Sequence, residues 1–336
     1  MAADPLARGL GEFQSVPDNV PGIHHVTAIT GDVQKCVDFY VTVLGLRFIK
    51  QTVNFDVPDT YHIYFGDRLG TPGTAMTFFG WHHLPWRPAG NGQVTTVAFA
   101  VPERSLDFWA GRLRELSVEA TRSERFGAGV IELRDPDQIQ LELVGQASDD
   151  RWSVWPDSPV APENQVRGFH SVNLSVAEEE PTARFLSETM GFREVARESG
   201  RVRFETGPGG PNAVLDLVAD NAAAMGEEAA GTVHHVAWRA LDDAHQVAWR
   251  EALVGAGRTV TPVIERKYFR SIYSREPGGV LFEIATDRPG FTVDEPEDAL
   301  GSGLQLPPQH EHRRESLKVN LPPLAVPVTT APGTGR

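Results

Sequence analysis

Residues 22–30 read GIHHVTAIT and residues 231–239 read GTVHHVAWR. Two further stretches, GQVTTVAFA from Gly92 and GFHSVNLSV from Gly168, have the same build, a glycine followed by alternating, β-branched-rich sequence that suits a strand. Each leads through a short acidic or polar turn into a helix-like segment. In the first of these, Val33, Cys36, Val37 and Tyr40 recur at three- and four-residue spacing, the pattern of one buried helical face. A glycine closes the first, third and fourth helical segments, as a C-cap does.

Alternating runs broken by turn residues follow each helix, for example RFIKQTV, TYHIYFGD and TAMTFFGW in the first unit. The unit therefore reads βαβββ and occurs four times. Units two and four close on matching hairpins, RDPDQIQLELVG and REPGGVLFEIAT, with Glu142 and Glu283 at the same offset from Pro136 and Pro277. The Pro-, Asp- and Trp-rich stretch ASDDRWSVWPDSPVAPENQ separates the halves. The expected division is a flexible N-terminus (1–20), an N-terminal domain of modules one and two (21–148), a linker (149–166), a C-terminal domain of modules three and four (167–290), and an extension ending in a flexible tail (291–336).

Aligning the opening strands puts His24, Thr95, His170 and His234 at one position and His25, Thr96, Ser171 and His235 at the next. Successive strand residues point to opposite faces, so only one histidine of each pair can face a metal. The closing strands offer Phe78, Glu142, Asp216 and Glu283. Modules one and four then combine His25, His235 and Glu283, with Phe78 in a fourth slot. Modules two and three combine Thr96, Ser171, Glu142 and Asp216, a set without imidazole that reads as a degenerate copy. Two histidines and one carboxylate with open positions form the facial triad of non-heme Fe(II) oxygenases, and Mn(II) accepts the same donors. A strand histidine is more often a hydrogen-bonded core residue than a ligand. The recurrence of HH in one register outweighs that reading here. His82, His83, His310 and His312 lie in loops and read as surface residues, and His62 and His170 as packing residues.

A hairpin turn centred on Gly278 puts Tyr273 opposite Glu283 on one face of the sheet, where a phenol can hydrogen-bond a metal-bound oxygen. Thr27 lies two residues from His25 and shares its face.

The chain has 336 residues with Lys+Arg 31 against Asp+Glu 45, a formal charge of −14, which disfavours nucleic acid and anionic membrane partners. One cysteine, Cys36, excludes an intramolecular disulfide and a thiolate metal site. No membrane span or signal sequence is read, and a cytoplasmic location is expected. A small molecule is the expected partner; self-association into a homo-oligomer is left open.

Four βαβββ units in two halves resemble the vicinal oxygen chelate superfamily, which implies an α+β fold of two glyoxalase/extradiol-dioxygenase-like domains. The motifs GIHHVTAITGD, FYVTVLGLRFIKQTVNFD, ERKYFRSIYSREPGGVLFE and GFTVDEPEDALG further resemble the hydroquinone ring-cleaving dioxygenases, the group of 2,6-dichlorohydroquinone 1,2-dioxygenase. That resemblance implies an Fe(II) centre at His25, His235 and Glu283, catalytic roles for Tyr273, Arg266, His234 and His24, and substrate contacts from Thr27, His24, Arg266 and Tyr273. It implies O2 and a hydroquinone-type, substituted or chlorinated, aromatic diol as substrates. Ideal alternation turns His24 and His234 away from the metal, so local twist or a bulge must re-aim them if they have pocket roles. The segment around Lys267 and Arg270 departs from the family's usual sequence. A glyoxalase-like isomerase, or a metal-free binding protein for an aromatic or antibiotic, shares the fold.

Overall fold

The computed structural model describes residues 19–147 and 152–331, and the expectations for residues 1–18, 148–151 and 332–336 lie outside them. Module one comprises β1 (Ile23–Thr30), α1 (Val33–Asp38), β2 (Arg47–Val53), β3 (Tyr61–Gly66) and β4 (Ala75–Gly80). Module two comprises β5 (Gln93–Pro102), α2 (Leu106–Glu115), β6 (Ala120–Arg125), β7 (Ala128–Arg134) and β8 (Gln140–Gln146). Module three runs through β9 (Phe169–Val176), α3 (Glu179–Arg184), β10 (Arg193–Glu198), β11 (Arg201–Glu205) and β12 (Val214–Ala219). Module four runs through β13 (Val233–Ala240), α4 (Asp243–Gly255), β14 (Ile264–Glu265), β15 (Arg270–Arg275) and β16 (Leu281–Thr286). The fold is α+β.

Local chemistry accounts for the helix ends. Asp32 caps α1 by accepting from the Lys35 N–H, and Asp242 caps α4 by accepting from the His245 N–H. Past α1 the chain widens into a π turn ending at Val43, with the Leu44 N–H bonded to the Phe39 carbonyl. Gly45, with φ +70°, then reverses the chain against Val160, where a side chain does not fit.

The strands form two eight-stranded sheets, ordered β14-β15-β16-β13-β1-β4-β3-β2 and β10-β11-β12-β9-β5-β8-β7-β6. Each sheet therefore takes one module from each half: module one joins module four, and module two joins module three. The seams are the antiparallel pairs β1/β13 and β5/β9, while β1/β4 and β13/β16 are parallel. One apolar core runs beneath both sheets and receives Cys36, Tyr40, Trp109, Leu186 and Trp249 from the helical segments. Phe78 points into it and packs on Tyr40, ring centroids 4.9 Å apart.

The extension past Thr286 lies against module one. Lys50 of β2, fully buried, donates to the Phe291 carbonyl at 3.1 Å, to Asp294 at 2.7 Å and to Glu295. A short helix, α5 (Arg314–Asn320), follows. The stretch expected as a flexible tail begins bound: Leu321 is buried, the Tyr61 hydroxyl donates to the Pro322 carbonyl, and Gln34 makes two bonds to the Ala325 backbone. Its prolines prevent a strand ladder of its own, and neighbouring side chains satisfy its polar backbone instead.

Candidate functional site

The seam strands are irregular at equivalent residues. In β1/β13, Ile23 pairs with Trp238 but His25 with Ala237, and Thr27 with His235 but Ala28 with Val233. His24 and His234 are thus each an extra, bulged residue. The β5/β9 seam slips in the same way at Thr95 and His170. A bulge re-aims its side chain, and here it lets adjacent histidines meet: His24 Nδ1 lies 2.9 Å from His25 Nδ1, and His234 Nδ1 lies 2.7 Å from His235 Nδ1. One nitrogen of each pair donates and the other accepts. Both bonds leave Nε2 of His25 and His235 free to face the concave side of the sheet.

There the two Nε2 atoms lie 3.4 Å apart, and Glu283 Oε2 lies 3.3 Å from His25 and 2.8 Å from His235. These edges are close to the ~3 Å that cis donors present around an ion with ~2.1 Å bonds. Among the described residues this is the one cluster of three His, Cys, Asp or Glu side chains suited to a metal ion, its donor atoms all within 4.8 Å of one another. The second carboxylate oxygen, Oε1, accepts a bond from the Ser271 hydroxyl. Oε2 is buried and meets only the two imidazole nitrogens, without a well-aligned hydrogen bond, among the described residues. Burial works against the charged carboxylate, but the neighbouring His25 and His235 hold its pKa well below the usual range. A buried anion with an unused oxygen beside two imidazole nitrogens fits a divalent cation.

The donors open on a cavity of about 400 Å³ whose walls include Thr27, Arg266, Tyr273, His234, Phe79 and Phe269. Tyr273 lies opposite Glu283 in the β15/β16 ladder. Burial and the Glu283 charge push its phenol up, so it remains a neutral donor. Arg266 Nε lies 3.3 Å from the Tyr273 hydroxyl, and its other end pairs with Asp56 at 2.9 Å. His234 is pushed down to about 3, by burial first and then by His235, and is a neutral imidazole at pH 7. His24 does not reach the cavity. It is buried, bonded to His25 through Nδ1, with its ring 5.1 Å from that of Phe269.

The fourth slot also needs correction. Glu283 pairs with Ala237, two residues beyond His235, and the equivalent partner of Thr27, two beyond His25, is Thr77 rather than Phe78. A slip of one residue changes the face, which is why Phe78 is in the core. Thr77 Oγ1 bonds Thr27 Oγ1 at 2.8 Å and His62 Nε2 at 2.9 Å, and His62 Nδ1 bonds the Tyr64 hydroxyl at 2.9 Å. The alternation of YHIYFG already put His62 and Tyr64 on one face, but not on which side of the sheet. Ser271 likewise shares the face of Tyr273.

In the second sheet, Glu142 pairs with Ala98 and Asp216 with Asn173, the same register positions. Arg125 and Arg201 approach Glu142 at 3.1 and 3.8 Å, and Arg203 grips Asp216 at 2.7 and 2.8 Å. Guanidinium charge there balances the carboxylates without a metal.

Two segments, residues 22–143 and 168–284, match the family described as Glyoxalase/Bleomycin resistance protein/Dioxygenase superfamily. The chain belongs to this superfamily. Superfamily relatives include "Putative ring-cleaving dioxygenase MhqO" of Bacillus subtilis, 43% identical over 305 residues, which cover 91% of this chain and 97% of that protein. The "Chlorohydroquinone/hydroquinone 1,2-dioxygenase" of Sphingobium indicum is 36% identical over 319 residues, covering 91% and 97%. A solved Bacillus subtilis structure, described as a putative dioxygenase, superposes with TM-score 0.87 at 42% identity, covering 93% of this chain and 99% of its own. Glyoxalase I from Zea mays, at 15% identity and TM-score 0.57, covering 79% and 92%, shares the superfamily fold.

Proposed function

We propose that this protein is a ring-cleaving dioxygenase that uses Fe(II), with Mn(II) as an accepted substitute, to open a hydroquinone-type aromatic diol with O2. The observation that carries the reading is Glu283 Oε2, a buried carboxylate oxygen 2.8 and 3.3 Å from two imidazole nitrogens on the wall of one cavity. His25, His235 and Glu283 would hold the ion, and Thr77 in place of a second carboxylate leaves coordination positions open. Fe(II) held there would supply open coordination positions for a substrate oxygen and dioxygen and the redox chemistry between them. Relatives bearing ring-cleaving names at 36–43% identity support the class.

The chain's own groups orient and protonate. Arg266, steadied by Asp56, favours the phenolate form of the bound ring hydroxyl. Tyr273, neutral and opposite Glu283, would donate a hydrogen bond to a substrate oxygen in the cavity. Phe79 and Phe269 give the ring an apolar slot that excludes water. Oxygen uptake by anaerobically Fe(II)-loaded protein, on addition of hydroquinone or chlorohydroquinone, tests the reading. One O2 consumed per ring-opened product, abolished in Glu283→Ala, is expected. No uptake at confirmed iron occupancy overturns it.

A further inference from the structure

We propose that Tyr64, held by His62 on the β3 side of the cavity, receives the second ring hydroxyl of a para-diol and so selects hydroquinones over simple phenols. This rests on the ring-cleaving reading of the site.

The register makes Tyr64 the counterpart of Tyr273. Tyr64 pairs with Thr77 as Tyr273 pairs with Glu283, and the same position holds Glu132 in module two and Arg203 in module three. Tyrosine thus occupies this place only in the two modules with paired histidines. On the Tyr273 side the adjacent slot carries a carboxylate; on the Tyr64 side it carries a threonine. The cavity therefore has one wall built to hold a cation and one built to hydrogen-bond. Tyr64, Thr77, Thr27 and His235 form a row across four neighbouring strands, which on a flat sheet would span about 14 Å. The sheet is curled, and both ends of the row line one cavity.

Tyr64 is 3% exposed, and among the described residues its hydroxyl bonds only His62 Nδ1. A phenol can donate once and accept twice, so this leaves capacity unused. Because His62 Nε2 is engaged by Thr77, the imidazole ring is fixed from both sides. In one tautomer Tyr64 donates to His62 and offers its lone pairs to a ligand O–H; in the other it accepts and offers its own O–H. Burial pushes the Tyr64 phenol well up, so it remains neutral in either case. Its ring packs on Phe291, which offers no polar partner, and no further hydrogen bond of the hydroxyl is found among the described residues.

The test is calorimetric titration of anaerobic Fe(II)-loaded protein with hydroquinone and with phenol, which lacks the distal hydroxyl. Tighter binding of hydroquinone is expected, with Tyr64→Phe lowering the hydroquinone-to-phenol affinity ratio about tenfold while phenol affinity is unchanged. His62→Asn, which keeps the Tyr64 ring but frees its hydroxyl, should lower the ratio several-fold and serves if Tyr64→Phe does not fold. An unchanged ratio in a folded variant, or equal binding of both ligands by the unsubstituted protein, overturns the assignment. Oxygen uptake measured in parallel separates the two levels. Uptake from hydroquinone with an unchanged ratio sinks the Tyr64 role alone; absence of both uptake and binding removes the underlying reading with it.

Discussion

Thr77 in β4 and Glu283 in β16 occupy the same register position, Thr77 beside Thr27 and Glu283 beside Ala237, each two residues beyond the second histidine of its module. The cavity is therefore symmetric in backbone and asymmetric in charge. Under the proposed function that asymmetry keeps coordination positions open. Thr77→Glu should tighten Fe(II) binding and cut oxygen uptake at least tenfold, because a fourth protein ligand competes with substrate and O2. Retention of full uptake, with folding checked by thermal melting against the smaller Thr77→Asp, would argue that Thr77 does not border the ion.

The Nδ1–Nδ1 bond from His24 to His25 predicts a positioning effect without substrate contact. His24→Phe retains a ring against Phe269 but removes the bond that orients His25. Metal affinity, read by competition with a chromophoric chelator, should fall 10–100-fold, the usual cost of losing such a partner. The control is His170→Phe in the other sheet, where His170 bonds Ser171 at an equivalent bulge. That change should leave metal affinity as it was.

Lys50 has no exposed surface and holds two carboxylates of the extension, Asp294 and Glu295. Lys50→Met leaves Glu295 buried without its cation, whereas Asp294 keeps Lys267 at 2.6 Å. Breaking a buried pair on one side costs on the order of 3–5 kcal/mol. A lower urea midpoint and faster proteolysis between residues 291 and 313 are the expected readouts, and an unchanged midpoint would count against the clamp.

Asp135 should make stability depend on pH. Its carboxyl is pushed up to about 7, by burial first and further by Asp137, against the Ile139 N–H and the Tyr40 hydroxyl that favour the charged form. The folded state thus prefers the protonated acid relative to an unfolded value near 3.9. The stabilisation is complete below about pH 4 and is lost as pH rises through about 7. Urea midpoints between pH 4.5 and 8.5 should decline more steeply in the unsubstituted protein than in Asp135→Asn. Parallel curves would show that Asp135 does not titrate in this window.

Much of the architecture was legible because strands and helices are written in local periods. The buried face of Val33, Cys36, Val37 and Tyr40, the four opening strands, and the opposition of Tyr273 and Glu283 all follow from spacings of two, three or four residues and from one tight turn. Even the conflict between alternation and the paired histidines was visible in the sequence, as a demand for local twist or a bulge, and the structure has bulges at His24 and His234.

What the tertiary structure alone decided is where periods fail to carry information. A period of two distinguishes the faces of a strand but not its register against a distant partner, so Thr77 and Phe78 exchanged roles on a slip of one residue. Nor does local spacing say that Ser271 bonds Glu283, that His62 and Tyr64 face the cavity, or that the extension reaches back to Lys50. The four βαβββ repeats and their paired histidines belong to the sequence by itself. The union of module one with module four was also readable from their matching histidine pairs; the distances that bring His25 to His235 across 210 residues belong to packing, which buries the combined apolar faces in one core.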